Sequence, residues 1–193
     1  MAVGSSISLK GRLMRGFTLV ELMIGIAVAA ILVIVAVPGF TATINRNRLA
    51  TAGNELLASL QLARMEAVRR GNTVVVCPSE NPGAANATCG GADWRQWITF
   101  VDADNNRNRA ATEPLLRSSS AHSRVQMSNV DGLANIAFRP DGLAYAASGA
   151  LLTTAVSACI ETTMPEVNGR NVLLRSGSSL AIEDAAPDPT CGN

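Results

Sequence analysis

Residues 17–37 form an apolar run in which Glu21 is the one ionisable side chain. At ~1.5 Å rise per residue, about 20 residues of helix span the ~30 Å hydrocarbon core of a bilayer, so the run reads as a membrane-crossing helix. Lys10, Arg12 and Arg15 stand just ahead of it, which holds that end in the cytoplasm and sends the rest outward. A secretory signal has a shorter apolar core followed by a small-residue cleavage site; none follows here. Glu21 needs a cause, because a carboxylate in lipid costs roughly 2.5–3.5 kcal/mol even on the mildest scale. It either snorkels to the headgroups or meets a cation. A cut after Gly16 supplies one: the new amino group on Phe17 lies one helical turn away and can meet the Glu21 of a neighbouring helix.

The stretch Gly16-Phe17-Thr18-Leu19-Val20-Glu21-Leu22 resembles the class III leader junction of type IV pilins and type II secretion pseudopilins. The resemblance implies that a prepilin peptidase cuts after Gly16 and methylates the new amino terminus of Phe17. It makes Glu21 the family's fifth-position glutamate, used in subunit assembly. Pro38 falls where such helices often carry a proline. The implied partners are other pilin or minor pilin subunits, the prepilin peptidase, the inner-membrane assembly machinery and, before assembly, membrane lipid. The implied location is the inner membrane, single-pass with a periplasmic C-terminal domain, and then a pilus or pseudopilus.

Residues 1–16 are thus read as a leader, with Met14 offering a second start. The transmembrane half of the helix covers 17–37 and an amphipathic half 38–71. Pro38 removes one backbone bond and clashes with the preceding turn, so a kink is expected there. Beyond it Leu49, Gly53, Leu56, Leu57, Leu60, Ala63, Ala67 and Val68 recur at three- and four-residue steps, the pattern of a helix lying on a domain. Gly71-Asn72 is a stop signal, with Arg69 and Arg70 suited to the negative helix end.

Residues 72–193 read as a periplasmic β-rich domain. Short β-branched or apolar runs at 73–77, 97–101, 114–117, 125–127, 136–139, 155–161, 172–175 and 180–182 predict strands. Turn chemistry separates several of them, as at Asp131-Gly132, Pro140-Asp141-Gly142, Asn168-Gly169 and Ser176-Gly177. Residues 78–92 read as a surface loop. The fold class is α+β: one long N-terminal helix packed on an antiparallel sheet or sandwich. Trp97-x-x-Phe100-x-Asp102, Glu113-x-Leu115-Leu116-Arg117 and Ile136-x-Phe138-x-x-x-Gly142 resemble the GspH and FimT/FimU group of minor subunits, in which such a helix packs on a β-sandwich.

Cysteines stand at 77, 89, 159 and 191. Without a C-x-x-C pair, and with His122 distant in sequence, a zinc site is not expected. An exported domain should form disulfides instead. Three pairings are open, and Cys77–Cys89 with Cys159–Cys191 is favoured, one closing the Gly/Asn-rich loop and the other pinning the polar tail.

Asp102, Asp104, Asn106 and Glu113 match the ligand spacing of a calcium loop. Arg107 occupies the sixth position, where a tight calcium loop needs glycine, and no helix flanks the segment. The reading adopted is a solvated hairpin turn without a metal. His122 reads as a surface loop residue. No nucleophile stands with a base, so neither catalysis nor a cofactor is expected.

The formal charge is +1, and losing the three leader cations leaves −2. That is no basic protein, so DNA contact would need a local patch. DNA-binding FimT-type proteins share a Gly-Arg-x-Arg turn near the C-terminus; the matching turn here, Gly177-Ser178-Ser179-Leu180, has neither arginine. Arg170 and Arg175 remain, beside Glu183 and Asp184, and DNA is not expected as a partner. The roles in contention are a structural minor pilin that initiates or caps a type IV pilus, a GspH-type pseudopilin of type II secretion, and a DNA-binding minor pilin for natural transformation. The additional pair around Cys159 and Cys191 resembles that of FimU-type minor pilins, and the resemblance favours the first.

Overall fold

The computed structural model describes residues 16–191, without the side chains of 34–38. The leader cations Lys10, Arg12 and Arg15, and Met14, lie outside the described residues. The chain divides into two compact units, one reaching to Gly39 and the other starting at Phe40. Helix α1 (Leu19–Arg70) contributes to both.

In the first unit the apolar side chains of α1 are uncovered: Leu19, Leu22, Ile26 and Leu32 are each more than half exposed. The described apolar stretch, 19–33, reaches only about 22 Å at ~1.5 Å per residue. Among the described residues, no helix is long and apolar enough to cross a membrane. The remainder of the run falls on 34–38, outside the described side chains, as does the kink expected at Pro38.

In the second unit α1 turns one face inward. Leu49, Ala52, Leu56, Leu60, Ala63 and Ala67 are buried, at the three- and four-residue steps of one helix face. Val68 is an exception to the expected stripe and stays 56% exposed, because it falls at the edge of that face. Gly71 ends the helix with φ +65°, donating its N–H to Ala67 O at 3.0 Å; a left-handed residue here favours glycine.

Eight strands follow among the described residues, all antiparallel in their pairings. β1 (Thr73–Pro78), β2 (Gln96–Asp102), β3 (Leu115–Ser120) and β5 (Ile136–Phe138) make one sheet in the order β3-β2-β1-β5. β4 (Gln126–Asn129), β6 (Thr154–Cys159), β7 (Gly169–Arg175) and β8 (Ser179–Asp184) make the other, in the order β4-β6-β7-β8. Alternation assigns the faces. Val74, Val76, Trp97, Ile136 and Phe138 of the first sheet, and Val156, Val172 and Leu174 of the second, share one core with α1. At Gly53 the helix backbone comes close to the second sheet: a Cβ placed there would stand 3.6 Å from Ile182.

The first sheet is buried on its other face too. Val75, Cys77, Ile98, Phe100 and Ala137 form a second cluster with Ala87, which belongs to the loop between β1 and β2. That loop, read from sequence as surface only, therefore also covers a sheet face. A strand apolar at both parities, as β1 is, needs two covers.

Candidate functional site

Gly16, Phe17 and Thr18 precede α1. Among the described residues nothing lies within 4 Å of a Cβ built on Gly16, and Phe17 is 84% exposed. Thr18 and Glu21 then close a reciprocal cap. The Glu21 N–H donates to Thr18 Oγ1 at 3.2 Å, and the Thr18 N–H and hydroxyl donate to Glu21 Oε2 at 3.3 and 3.2 Å. This capping box satisfies N–H groups that a helix start leaves unpaired. It also puts a negative charge in the first turn, at the positive end of the helix dipole. The hydrogen bonds to the Glu21 carboxylate in this cap all fall on Oε2. The local role of Glu21 was legible in the spacing Thr18-x-x-Glu21 and was not read from it.

The cysteines are joined as Cys77–Cys89 and Cys159–Cys191. The first bond ties the covering loop to β1. The second ties the tail to β6, where buried Asn168 also holds it, accepting from the Asp188 N–H at 2.9 Å and donating to the Ile160 carbonyl at 2.9 Å. Read from sequence as a turn, Asn168-Gly169 differs in the structure: Gly169 opens β7, and Asn168 is a buried clasp for the tail.

Asp102, Asp104 and Glu113 are brought together, each placing a carboxylate oxygen within 4.8 Å of the others. Their oxygens are engaged by amides of the turn. Asp102 accepts from the N–H groups of Asn106 and Arg107 at 3.1 and 3.0 Å, and Glu113 from those of Ala103 and Ala110 at 2.7 and 2.8 Å. Asn106 donates its NH₂ to Asp104 at 2.7 Å and accepts from the Asn108 N–H at 2.7 Å. Burial raises the Asp102 carboxyl above its ordinary value against the pull of the Arg107 N–H, and Asp104 and Glu113 add to the rise. Arg107 takes φ +62°, the left-handed conformation that favours glycine at this position. Its guanidinium is fixed to the carbonyls of Tyr145 and Ala146 at 3.1 and 3.3 Å. The arrangement is a self-bonded turn.

Arg109, unremarked in the sequence, is buried and staples this turn to the covering loop, donating to Ala85 O and Ala87 O at 3.2 and 2.8 Å. Arg170 lies 3.5 Å from Asp184, and Arg175 is bonded to Glu183. Each arginine named for DNA thus faces a carboxylate of β8.

The family model described as "Type II transport protein GspH" matches residues 52–178. The "Prokaryotic N-terminal methylation motif" matches residues 11–37. No curated protein matches. Among solved structures, the type IV minor pilin FimU of Pseudomonas aeruginosa aligns with a TM-score of 0.53 at 18% identity, covering 72% of this chain and 90% of that one. A second crystal form of FimU gives 0.51 at 18%, over 70% and 92%. The minor pseudopilin EpsH from the Type 2 Secretion System of Vibrio cholerae gives 0.49 at 10%, over 71% and 97%. At such identities the likeness to FimU is one of fold: a long helix packed on antiparallel sheets.

Proposed function

The chain belongs to the type II transport protein GspH family, and from that premise we propose that it is a structural minor pilin of a type IV pilus, of the FimU/FimT kind, that helps initiate or cap the filament. One observation carries the reading. A helix whose apolar side chains are uncovered up to Val33 passes, in its second half, into a core braced by two disulfides. The uncovered half suits lipid before assembly and other helices after it; the braced half suits an oxidising space outside the membrane. In this reading the peptidase cuts between Gly16 and Phe17 and methylates Phe17. The Phe17 ammonium of an incoming subunit then meets Glu21 of its neighbour, whose Oε1 is not used by the cap.

The second reading is a GspH-type pseudopilin of type II secretion, the system named in the description of the matched family model. DNA capture receives no support from Arg170 and Arg175, which face Asp184 and Glu183, since phosphate binding needs cations free to replace counterions. Deletion of the gene separates the two leading roles. The pilus role predicts loss of sheared surface pili with secretion of exported enzymes intact, both wild-type after complementation. Normal pili with blocked secretion would transfer the protein to the secretion machine.

A further inference from the structure

Between α1 and the segment that follows β3 lies an apolar groove of about 330 Å³. Ile44 and Ala52 line its helix side and Ala121 the other. Thr51, also on the helix side, turns its hydroxyl back to the Asn47 carbonyl at 2.8 Å. Three ionisable side chains line the groove as well, and two of them are engaged. Glu55 accepts from Arg117 and Ser119, and His122 accepts from the Arg124 N–H at 3.2 Å. Arg48 makes one long contact, with neutral Asn45 at 3.5 Å, and no ion pair among the described residues. The groove thus joins an apolar lining to a cation that no carboxylate of this unit offsets.

The same unit carries the complement. The loop between β6 and β7 presents Met164, 48% exposed, and Val167, 40% exposed, with exposed Glu166 between them. Glu166 has no bonded partner among the described residues. The loop is held in shape: Thr162 bonds both the N–H and the carbonyl of Met164 at 3.1 and 2.9 Å, and Asn168 closes its far end on Ile160. Asn45 donates to Met164 O at 3.2 Å, so loop and groove stand at one level along α1. Yet no residue of the loop lines the groove. We infer that the groove receives the β6–β7 loop of a second copy, with Met164 and Val167 against its apolar lining and Glu166 at Arg48. Groove and loop are different surfaces, so the contact is heterologous and can repeat from copy to copy. A contact this small does not hold free copies together; it adds to others where copies are kept side by side. For that juxtaposition the inference rests on the reading of the chain as a filament subunit.

Membranes from cells co-expressing two differently tagged full-length copies test this. One copy carries Thr51→Cys, in the groove, and the other Val167→Cys, on the loop. The native cysteines are paired, so a short bismaleimide joins only the added thiols. The expected result is a mixed-tag dimer. Gln61→Cys in place of Thr51→Cys, exposed and about 15 Å further along α1, should give none. Arg48→Glu in the groove copy, or Glu166→Arg in the loop copy, should cut the yield by about fivefold; the two together should restore it. Lack of the mixed dimer overturns the docking. So does a dimer of Thr51→Cys with itself at equal yield, which marks two helices meeting symmetrically. A mixed dimer that neither charge reversal weakens overturns the seating of Glu166 at Arg48. The readout does not depend on pili. No mixed dimer, with wild-type protein present in sheared pili, leaves the filament role standing; the dimer, with pili unaffected by gene deletion, keeps the docking and removes that role.

Discussion

Glu55 of α1 and Arg117 of β3 meet at 2.6 Å across a sequence separation of 62, and the Ser119 hydroxyl donates to the same carboxylate oxygen at 3.0 Å. Arg117 also donates to Ser119 at 3.0 Å, so three side chains close a ring between the helix and an edge strand. The Arg117 hydrogen bond holds the Glu55 carboxyl below its ordinary value of 4.5, with burial opposing and Ser119 assisting. Both partners are about a third exposed, which limits the pair to roughly 0.2–1 kcal/mol.

Glu55→Gln should therefore destabilise the second unit by about 0.5–1 kcal/mol at pH 7. A depressed folded pKa contributes stability above the unfolded value, and the contribution disappears as pH falls through the folded one. The gap between wild type and variant should close in acid. Urea midpoints of a fragment starting at Phe40, taken at pH 7 and pH 3, check this. A gap of unchanged size at pH 3 would mean that the charge contributes nothing.

Ser59 and Trp97 form a second link between helix and sheet, wholly buried, with the indole N–H donating to the serine oxygen at 2.9 Å. Ser59→Ala strands that N–H where water does not reach, at a cost of about 1–3 kcal/mol. With Trp97→Phe already in place the same change should cost much less, because no donor remains. The double-mutant cycle measures the difference; equal costs in both backgrounds would assign Ser59 a packing role only.

Most strands were legible as short β-branched or apolar runs, several bounded by turn residues, whereas the polar ends of β3 and β4 (Ser118–Ser120, Ser128–Asn129) carried no such signal. The buried helix face was legible in its 3.6-residue period. The sheet order was not, since β5 pairs with β1 at a distance that no local pattern encodes. Links such as Ser59–Trp97 and Glu55–Arg117 were hidden for the same reason: serine and glutamate on a helix look like solvent residues until a remote strand supplies a partner. The continuous apolar run of β1 is consistent with burial on both faces, which was not read from it. What lay over the second face was unreadable, because the covering loop is mostly Gly, Ala, Asn and Pro and buries chiefly Ala87. At the acidic turn the spacing correctly grouped three carboxylates. It could not reveal that backbone amides engage them.

The cover over that second face depends on the Cys77–Cys89 bond, which closes a 12-residue separation. On the chain-entropy model a loop of this size is worth about 3 kcal/mol. Cys77→Ala with Cys89→Ala should cost about that much, and the loosened loop should uncover Val75, Ile98 and Phe100. Denaturant midpoints give the loss, and binding of an apolar dye in native buffer reports the uncovering. A cost below about 1 kcal/mol would show that Arg109, through its bonds to Ala85 and Ala87, holds the cover unaided.

Glu21 has two candidate tasks, and they separate by substitution. Its Oε2 closes the capping box with Thr18, and glutamine serves that role nearly as well. Pairing with the Phe17 ammonium of an incoming subunit needs the charge. If the cap alone mattered, Glu21→Gln would assemble normally, while Glu21→Ala and Thr18→Val would each lose about 0.5–2 kcal/mol of helix-start stability. If the pairing matters, as proposed, Gln fails along with Ala. An unpartnered ammonium then enters an apolar surround, and losing one member of a buried pair costs ~3–5 kcal/mol. At ~1.4 kcal/mol per factor of ten that is a hundredfold or greater loss of incorporation, whereas Thr18→Val should lose far less. All three changes lie beyond the Gly16–Phe17 cut, so processing should continue and the protein should collect in membranes at mature length. The ratio of mature protein in sheared pili to that in membranes decides the matter. Wild-type incorporation of Glu21→Gln would leave the carboxylate as a helix cap and nothing more.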